Sequence, residues 1–179
     1  MQKKQKPFQV IIDTREKTPL DLTCWGVAFT VVRKALPHGD YSLAWPDLQE
    51  RVCVERKSLE DFVMCVGRER SRFLTELLAM RGYEYRLLVI EGKIEDMFSG
   101  KYRSLVHPHC VMSFLSKCLK MGISVIPAGS HECAGYIVAK FLEFIAKQEV
   151  EIASSSTSVF PLPIIDLADD ISFNDGMEN

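Results

Sequence analysis

No apolar stretch in these 179 residues approaches the roughly 20 needed by a membrane-spanning helix. The basic opening Met1-Gln2-Lys3-Lys4-Gln5-Lys6 is not followed by a hydrophobic segment with a small-residue cleavage site, so a secretory signal is not expected. A CxxC pair is missing as well. The six cysteines, at 24, 53, 65, 110, 118 and 133, sit mostly among apolar neighbours. That pattern reads as free thiols of an intracellular protein rather than a disulfide framework. His107, His109 and Cys110, with Cys118 beyond them, form a candidate zinc cluster, but their spacing fits no common zinc module. Lysine and arginine are absent from 151–179, which holds six acids. The formal net charge of −2 therefore hides an asymmetry: residues 1–150 carry 22 basic against 18 acidic side chains. Such a body permits a phosphate-binding face without demanding one. Internal repeats are not evident.

What is present describes one domain. Hydrophobic residues make up 47% and charged residues 26%, an ordinary balance for a globular chain. Six strands are predicted, at 8–13 (FQVIID), 27–36, 39–45 (GDYSLAW, ended by Pro46-Asp47), 51–57 (RVCVERK), 85–91 (YRLLVIE) and 123–127. The fifth is apolar almost throughout, as a strand covered on both faces would be. Helical stripes are predicted at 58–66, 69–80, 108–121 and 130–148, the last with Ser130 as its N-cap. The order predicts an α/β fold: a mixed β-sheet flanked by helices. Residues 1–150 read as the folded domain. Residues 151–179 read as a flexible acidic tail that begins with the linker-like Ser154-Ser155-Ser156-Thr157-Ser158.

The chemistry concentrates between Gly39 and Asp61. The third and fourth strands flank a short loop centred near residue 48, so they should form an antiparallel hairpin. Mirroring about that centre puts Asp40 opposite Glu55 or Arg56. Glu55 and Lys57 are two apart and share one sheet face. Two carboxylates and one ammonium thus meet at the end of a sheet. Carboxylates of this kind hold a hard divalent cation, which activates water, and a neighbouring lysine offsets transition-state charge. Phosphodiester hydrolysis is the chemistry such a set suits.

Here a resemblance becomes specific. Gly39-Asp40-Tyr41 followed by Val54-Glu55-Arg56-Lys57-Ser58-Leu59-Glu60-Asp61 resembles the GDx(n)ERKxxxD signature of the XPF-type (xeroderma pigmentosum group F) structure-specific endonucleases. Ile12-Asp13-Thr14-Arg15-Glu16 is similar to that family's D-x-R-E motif, Gly67-Arg68 to its glycine-arginine step, and Leu87-Leu88-Val89-Ile90-Glu91 to its buried strand. The likeness runs from about residue 8 to 148. It implies a restriction-endonuclease-like core and a Mg2+- or Mn2+-dependent endonuclease that cuts branched, flapped or forked DNA in repair, recombination or replication. It also implies Asp13, Asp40, Glu55, Arg56 and Lys57 as catalytic residues, with Asp13, Asp40 and Glu55 on the metal. Arg15, Glu16, Asp61 and Arg68 would support them. Arg70, Arg72, Lys101 and Arg103 are candidate DNA contacts. The family pairs its nuclease domains, so a homodimer or heterodimer is expected, with helix 130–148 as a candidate interface. A tandem helix-hairpin-helix module usually follows the nuclease in that family; here two expectations stand, a separate subunit that supplies it or a stripped-down nuclease with looser substrate preference. The location would be cytoplasmic or nucleoid-associated in a bacterium or phage, and nuclear in a eukaryote.

Blander readings stand beside these. Asp61 lies three residues after Ser58, so helix capping alone explains it. Asp13 ends a strand and suits a turn. Arg68, Arg70 and Arg72 read equally as a solvated helix face, and helix 130–148 as wholly used in the core. The tail's Asp169-Asp170-Ile171-Ser172-Phe173 reads as solubilising, or as a segment that docks on a basic groove. Two other functions remain in view. One is an idle DNA-binding scaffold subunit; the other is a sequence-specific restriction-type nuclease.

Overall fold

The computed structural model describes residues 8–23, 29–45 and 47–155. Cys24, residues 27–28, Pro46 and residues 156–179 of the acidic tail lie outside the described residues. Six strands form one sheet: β1 Phe8–Ile12, β2 Phe29–Arg33, β3 Tyr41–Leu43, β4 Val52–Ser58, β5 Tyr85–Glu91 and β6 Ser124–Pro127, in the order β2-β1-β3-β4-β5-β6. β1 runs parallel to β2 and antiparallel to β3, β3 is antiparallel to β4, and β4, β5 and β6 are mutually parallel neighbours. The sheet is mixed, as predicted.

Six helices lie among the described residues: α1 Leu48–Arg51, α2 Leu59–Val66, α3 Arg70–Met80, α4 Ile94–Ser99, α5 Pro108–Lys120 and α6 His131–Ser155. Strand alternation divides the core into two layers. Val52 and Val54 of β4, with Leu87 and Val89 of β5, pack under Ala134, Val138, Leu142 and Ile145 of α6. Cys53, Leu88 and Ile90 face the other way, onto α2, α3 and α5. There Phe62, Phe73 and Phe114 pack ring against ring, with centroids 5.8–6.4 Å apart. α6 closes onto the segment before β2 so tightly that a Cβ on Gly135 would stand 2.7 Å from the Asp21 carbonyl oxygen.

Boundaries depart from expectation in informative ways. β2 covers 29–33, inside the predicted 27–36. α1 occupies part of the predicted hairpin loop, and α4 forms where no element was predicted. α6 runs to Ser155, which corrects the expected tail boundary at 150: residues 151–155 are helical. Both predicted caps form. Ser58 Oγ accepts from the Asp61 amide at 3.1 Å, and Ser130 Oγ from the Cys133 amide at 3.1 Å. His107 caps α5, its Nδ1 accepting from the His109 amide at 3.2 Å. Cys118 is buried in the core while Cys110 is exposed, so the candidate zinc cluster is divided between core and surface.

Candidate active site

The predicted hairpin forms. Tyr41 pairs with Val54, so Asp40 lies one step on, beside Glu55. The Asp40 amide donates to the Val54 carbonyl at 2.7 Å, and the Asp13 amide to the Asp40 carbonyl at 2.8 Å. The end of β1, the start of β3 and the middle of β4 thereby carry Asp13, Asp40 and Glu55 on neighbouring strands. Gly39 makes the approach possible. Its φ is +73°, and an added Cβ would lie 2.7 Å from Cys53 Sγ and 2.8 Å from the Val54 oxygen.

Asp40, Glu55 and Lys57 line one cavity of about 210 Å³ together with Arg15, His38 and Glu76. Glu55 is buried and accepts a hydrogen bond from Lys57 Nζ. That ammonium also lies 5.3 Å from the centre of the Phe73 ring. Asp40 Oδ2 accepts from the Arg56 amide at 2.8 Å. Burial, followed by the charge of Glu55, pushes the Asp40 carboxyl up to about 7. Burial raises Glu55 too, although Lys57 opposes the shift. Burial would lower Lys57, but the charge and hydrogen bond of Glu55, with the charge of Asp40, together outweigh it and hold the ammonium above its ordinary range. Two carboxylates pressed together in a partly dry cavity resist carrying full charge.

Asp13 is different. Its carboxylate is taken up by four hydrogen bonds, from the Arg15 amide (2.8 Å), Arg15 Nε (2.7 Å), Arg15 Nη2 (3.1 Å) and the Leu36 amide (2.6 Å). The Arg15 contact, ahead of the Leu36 amide, holds it down at about 2. Asp13 does not line the cavity; Arg15, which it fixes, does. Arg56 alternates with Glu55 and Lys57 along β4, yet it shares a hollow with Asp40 and Lys57. It donates from Nε to Glu16 at 3.1 Å and from Nη1 to Glu91 at 2.7 Å, stitching β4 to the loop after β1 and to the end of β5. His131, at the start of α6, reaches the same Glu91 oxygen at 2.7 Å.

The remaining predicted residues spread outward. Asp61 completes the Ser58 cap of α2, its amide donating to Ser58 Oγ and its Oδ2 accepting from it, and it also lines a second hollow of about 420 Å³, shared with Arg15, Lys17, Lys57 and Arg72. Arg68 and Arg103 lie on a third, of about 610 Å³, which meets the second at Met64. Arg72 is paired with Glu69 and Glu76. The Arg70 guanidinium lies 5.4 Å from the Phe114 ring centre. Lys101 is exposed and lines none of these hollows. Sequence reasoning missed Glu76 and Glu91. Glu91 ends the strand it quoted, but no spacing rule tied it to Arg56.

Residues 12–141 match the ERCC4 domain. The chain belongs to the ERCC4-domain family. That is an endonuclease family, and the GD and ERK strands lie within the matched span. A protein of Methanocaldococcus jannaschii named as an ATP-dependent RNA helicase is 30% identical to this ERCC4 domain over 139 residues, which are 78% of this chain and 16% of that protein. The chain therefore spans about one-sixth of that relative's length. XPF from Aeropyrum pernix is 20% identical in sequence and superposes with a TM-score of 0.63, over 90% of this chain and 70% of the other. The likeness establishes the restriction-endonuclease-like fold.

The cavity of the ERCC4 domain fits a hard divalent cation. Its donors are carboxylate oxygens, and a cation there would offset the burial that raises Asp40 and Glu55 and the Glu55 charge that adds to it at Asp40. Among the described residues no three His, Cys, Asp or Glu side chains converge as a metal cage. A cation that keeps much of its own water, as Mg2+ does, suits such a site.

Proposed function

We propose that this ERCC4 domain is a divalent-cation-dependent endonuclease that hydrolyses phosphodiester bonds of DNA at branches, flaps or forks, in repair, recombination or replication. The observation that carries the reading is the buried Asp40–Glu55 pair with Lys57 against it. Asp40 and Glu55 would hold Mg2+ or Mn2+. Bound there, the cation supplies Lewis-acid polarisation of the phosphate and a more acidic attacking water.

The protein's own contribution is placement. The Lys57 ammonium, held by Glu55 and by the Phe73 ring, stands where it orients a water and offsets charge developing on the phosphate oxygens. Asp13 fixes Arg15 at the cavity rim, where its guanidinium can face a phosphate. The three hollows trace a path from the acids past Met64 to Arg68 and Arg103, so a DNA strand leaving the site meets cations at its far end. Arg56 braces the edge of the site through Glu16 and Glu91. Pairing with a second ERCC4 domain, of the same or another chain, belongs to this proposal.

The test is cleavage of labelled flap, fork and linear duplex DNA in Mg2+ and in Mn2+ by wild type, Glu55→Gln and Lys57→Ala. Cutting near the junction is expected, with each variant slower by about 100-fold or more. Binding without cutting in either metal favours the idle scaffold instead. Equal cutting of plain duplex removes the branch preference.

A further inference from the structure

The C-terminal ends of α3 and α5 frame a fourth hollow, of about 380 Å³, and none of its lining residues borders the hollows of the site. Phe73, Leu77 and Met80 of α3 are buried, so Leu74 and Leu78, one turn apart, fall beside that face and line the hollow with Met121. Leu78 remains 55% exposed. Arg81, Lys117 and Lys120 complete the lining, which holds no acid. Among the described residues their head groups form no ion pair or hydrogen bond. Each helix end leaves about half a negative charge, so these three cations exceed what both helices need by about two charges.

An apolar floor under unpaired cations fits a chain that carries acids between apolar side chains. Residues 166–173 (DLADDISF) have that composition, and 156–179 holds Asp166, Asp169, Asp170, Asp175 and Glu178 with no lysine or arginine. The tail also departs from the right end of the sheet. The Tyr85 hydroxyl, at the start of β5, donates to Glu149 near the end of α6 at 3.3 Å. Arg86, the next residue, alternates to the other face and donates to the carbonyls of Arg81 (2.8 Å) and Gly122 (2.6 Å), at the edge of the hollow. The last turns of α6 and the hollow therefore flank one strand start. From Ser155 to Asp166 the extended chain reaches about 35 Å, against layers packed about 10 Å apart. We propose that residues 166–173 of this chain dock in the hollow, their apolar side chains against Leu74, Leu78 and Met121 and their acids toward Arg81, Lys117 and Lys120. A nucleic-acid backbone is the poorer occupant, because the apolar floor gives phosphates no partner.

The docking is independent of the reaction proposed above, and its test reads no cleavage. Hydrogen–deuterium exchange of the full chain is followed by mass spectrometry on the peptide that covers 166–173. Four chains are compared: wild type, Lys117→Glu with Lys120→Glu, Asp169→Lys with Asp170→Lys, and all four changes together. Thermal unfolding verifies that each is folded. A tethered segment sees its site at an effective concentration of about 1 mM, so an intrinsic dissociation constant of about 0.1 mM slows exchange about tenfold relative to the free peptide. That slowing is expected in wild type, lost in each pair of reversals and restored when the reversals are combined. Exchange at the free-peptide rate in wild type overturns the proposal, as does slowing that survives both pairs. Slowing that disappears on tenfold dilution assigns the segment to a second copy, and docking within one chain falls. If 166–173 exchanges freely while Lys117→Glu with Lys120→Glu weakens DNA binding, the hollow is a DNA surface and the proposal falls.

Discussion

Asp13 and Asp40 occupy neighbouring strand ends and respond to pH in opposite directions. Asp13 is held low by Arg15, so its contribution to stability is present near neutrality and is lost as pH falls toward about 2. Asp40 is raised from 3.8 to about 7 by burial and by Glu55. The folded protein therefore holds more protons than the unfolded chain within that window, and cation-free stability drops as pH rises through it. Asp40→Asn is expected to flatten this slope and to raise the melting temperature at pH 8 in EDTA. Parallel pH profiles for variant and wild type would sink the argument. At this scale the sequence was legible where spacing carries meaning. Glu55 and Lys57 share a face because they are two apart, and Asp40 meets them because a hairpin mirrors. Glu76 was illegible. With Arg72 four residues before it, it has the look of an ordinary solvated helix pair, and only the packing of α3 under β4 turns it toward the acids.

Elements were legible in proportion to their length and periodicity. β5 occupies its predicted span of Tyr85–Glu91, and α3 and α5 match within a residue. α1 has four residues and α4 six, too few for a helical stripe to repeat. β2 shortens because pairing, not propensity, sets strand ends. Among the described residues it ends at Arg33, the last that faces β1, short of the predicted 36. The β3–β4 hairpin is the element on which the site depends, and Gly39 is its tightest point. Gly39→Ala sets a side chain against both Cys53 and the Val54 carbonyl at a positive φ. A loss of about 2–3 kcal/mol is expected, together with cleavage lowered beyond what the remaining folded fraction explains. Urea unfolding beside a cleavage assay measures both, and an unchanged midpoint would show that the hairpin accommodates the methyl group.

For the whole molecule, the α/β order gave the mixed sheet, but no sequence feature revealed that β1 and β2 run parallel. That pairing depends on how the chain crosses over between them. α6 shows both faces of its predicted ambiguity. Val138, Leu142 and Ile145 are consumed by the sheet, yet Phe144 is 63% exposed, one turn from the half-buried Phe141. If this face pairs two domains, Phe144→Glu shifts the chain from dimer to monomer in light scattering while the melting temperature of the monomer holds. A dimer that survives the change places the interface elsewhere.

The central pair of strands has a consequence in time. β4 and β5 face each other at seven consecutive positions, from Val52 opposite Tyr85 to Ser58 opposite Glu91, with β3 and β6 on their outer sides. Leu87, Leu88, Val89 and Ile90 have no measurable solvent exposure. Amide protons here are expected to exchange with deuterium only through global opening, long after those of β2 and the 101–106 loop. Glu55 and Lys57 are carried on this slowest-exchanging strand, so as the protein breathes, its edges fray while the reactive groups keep their alignment.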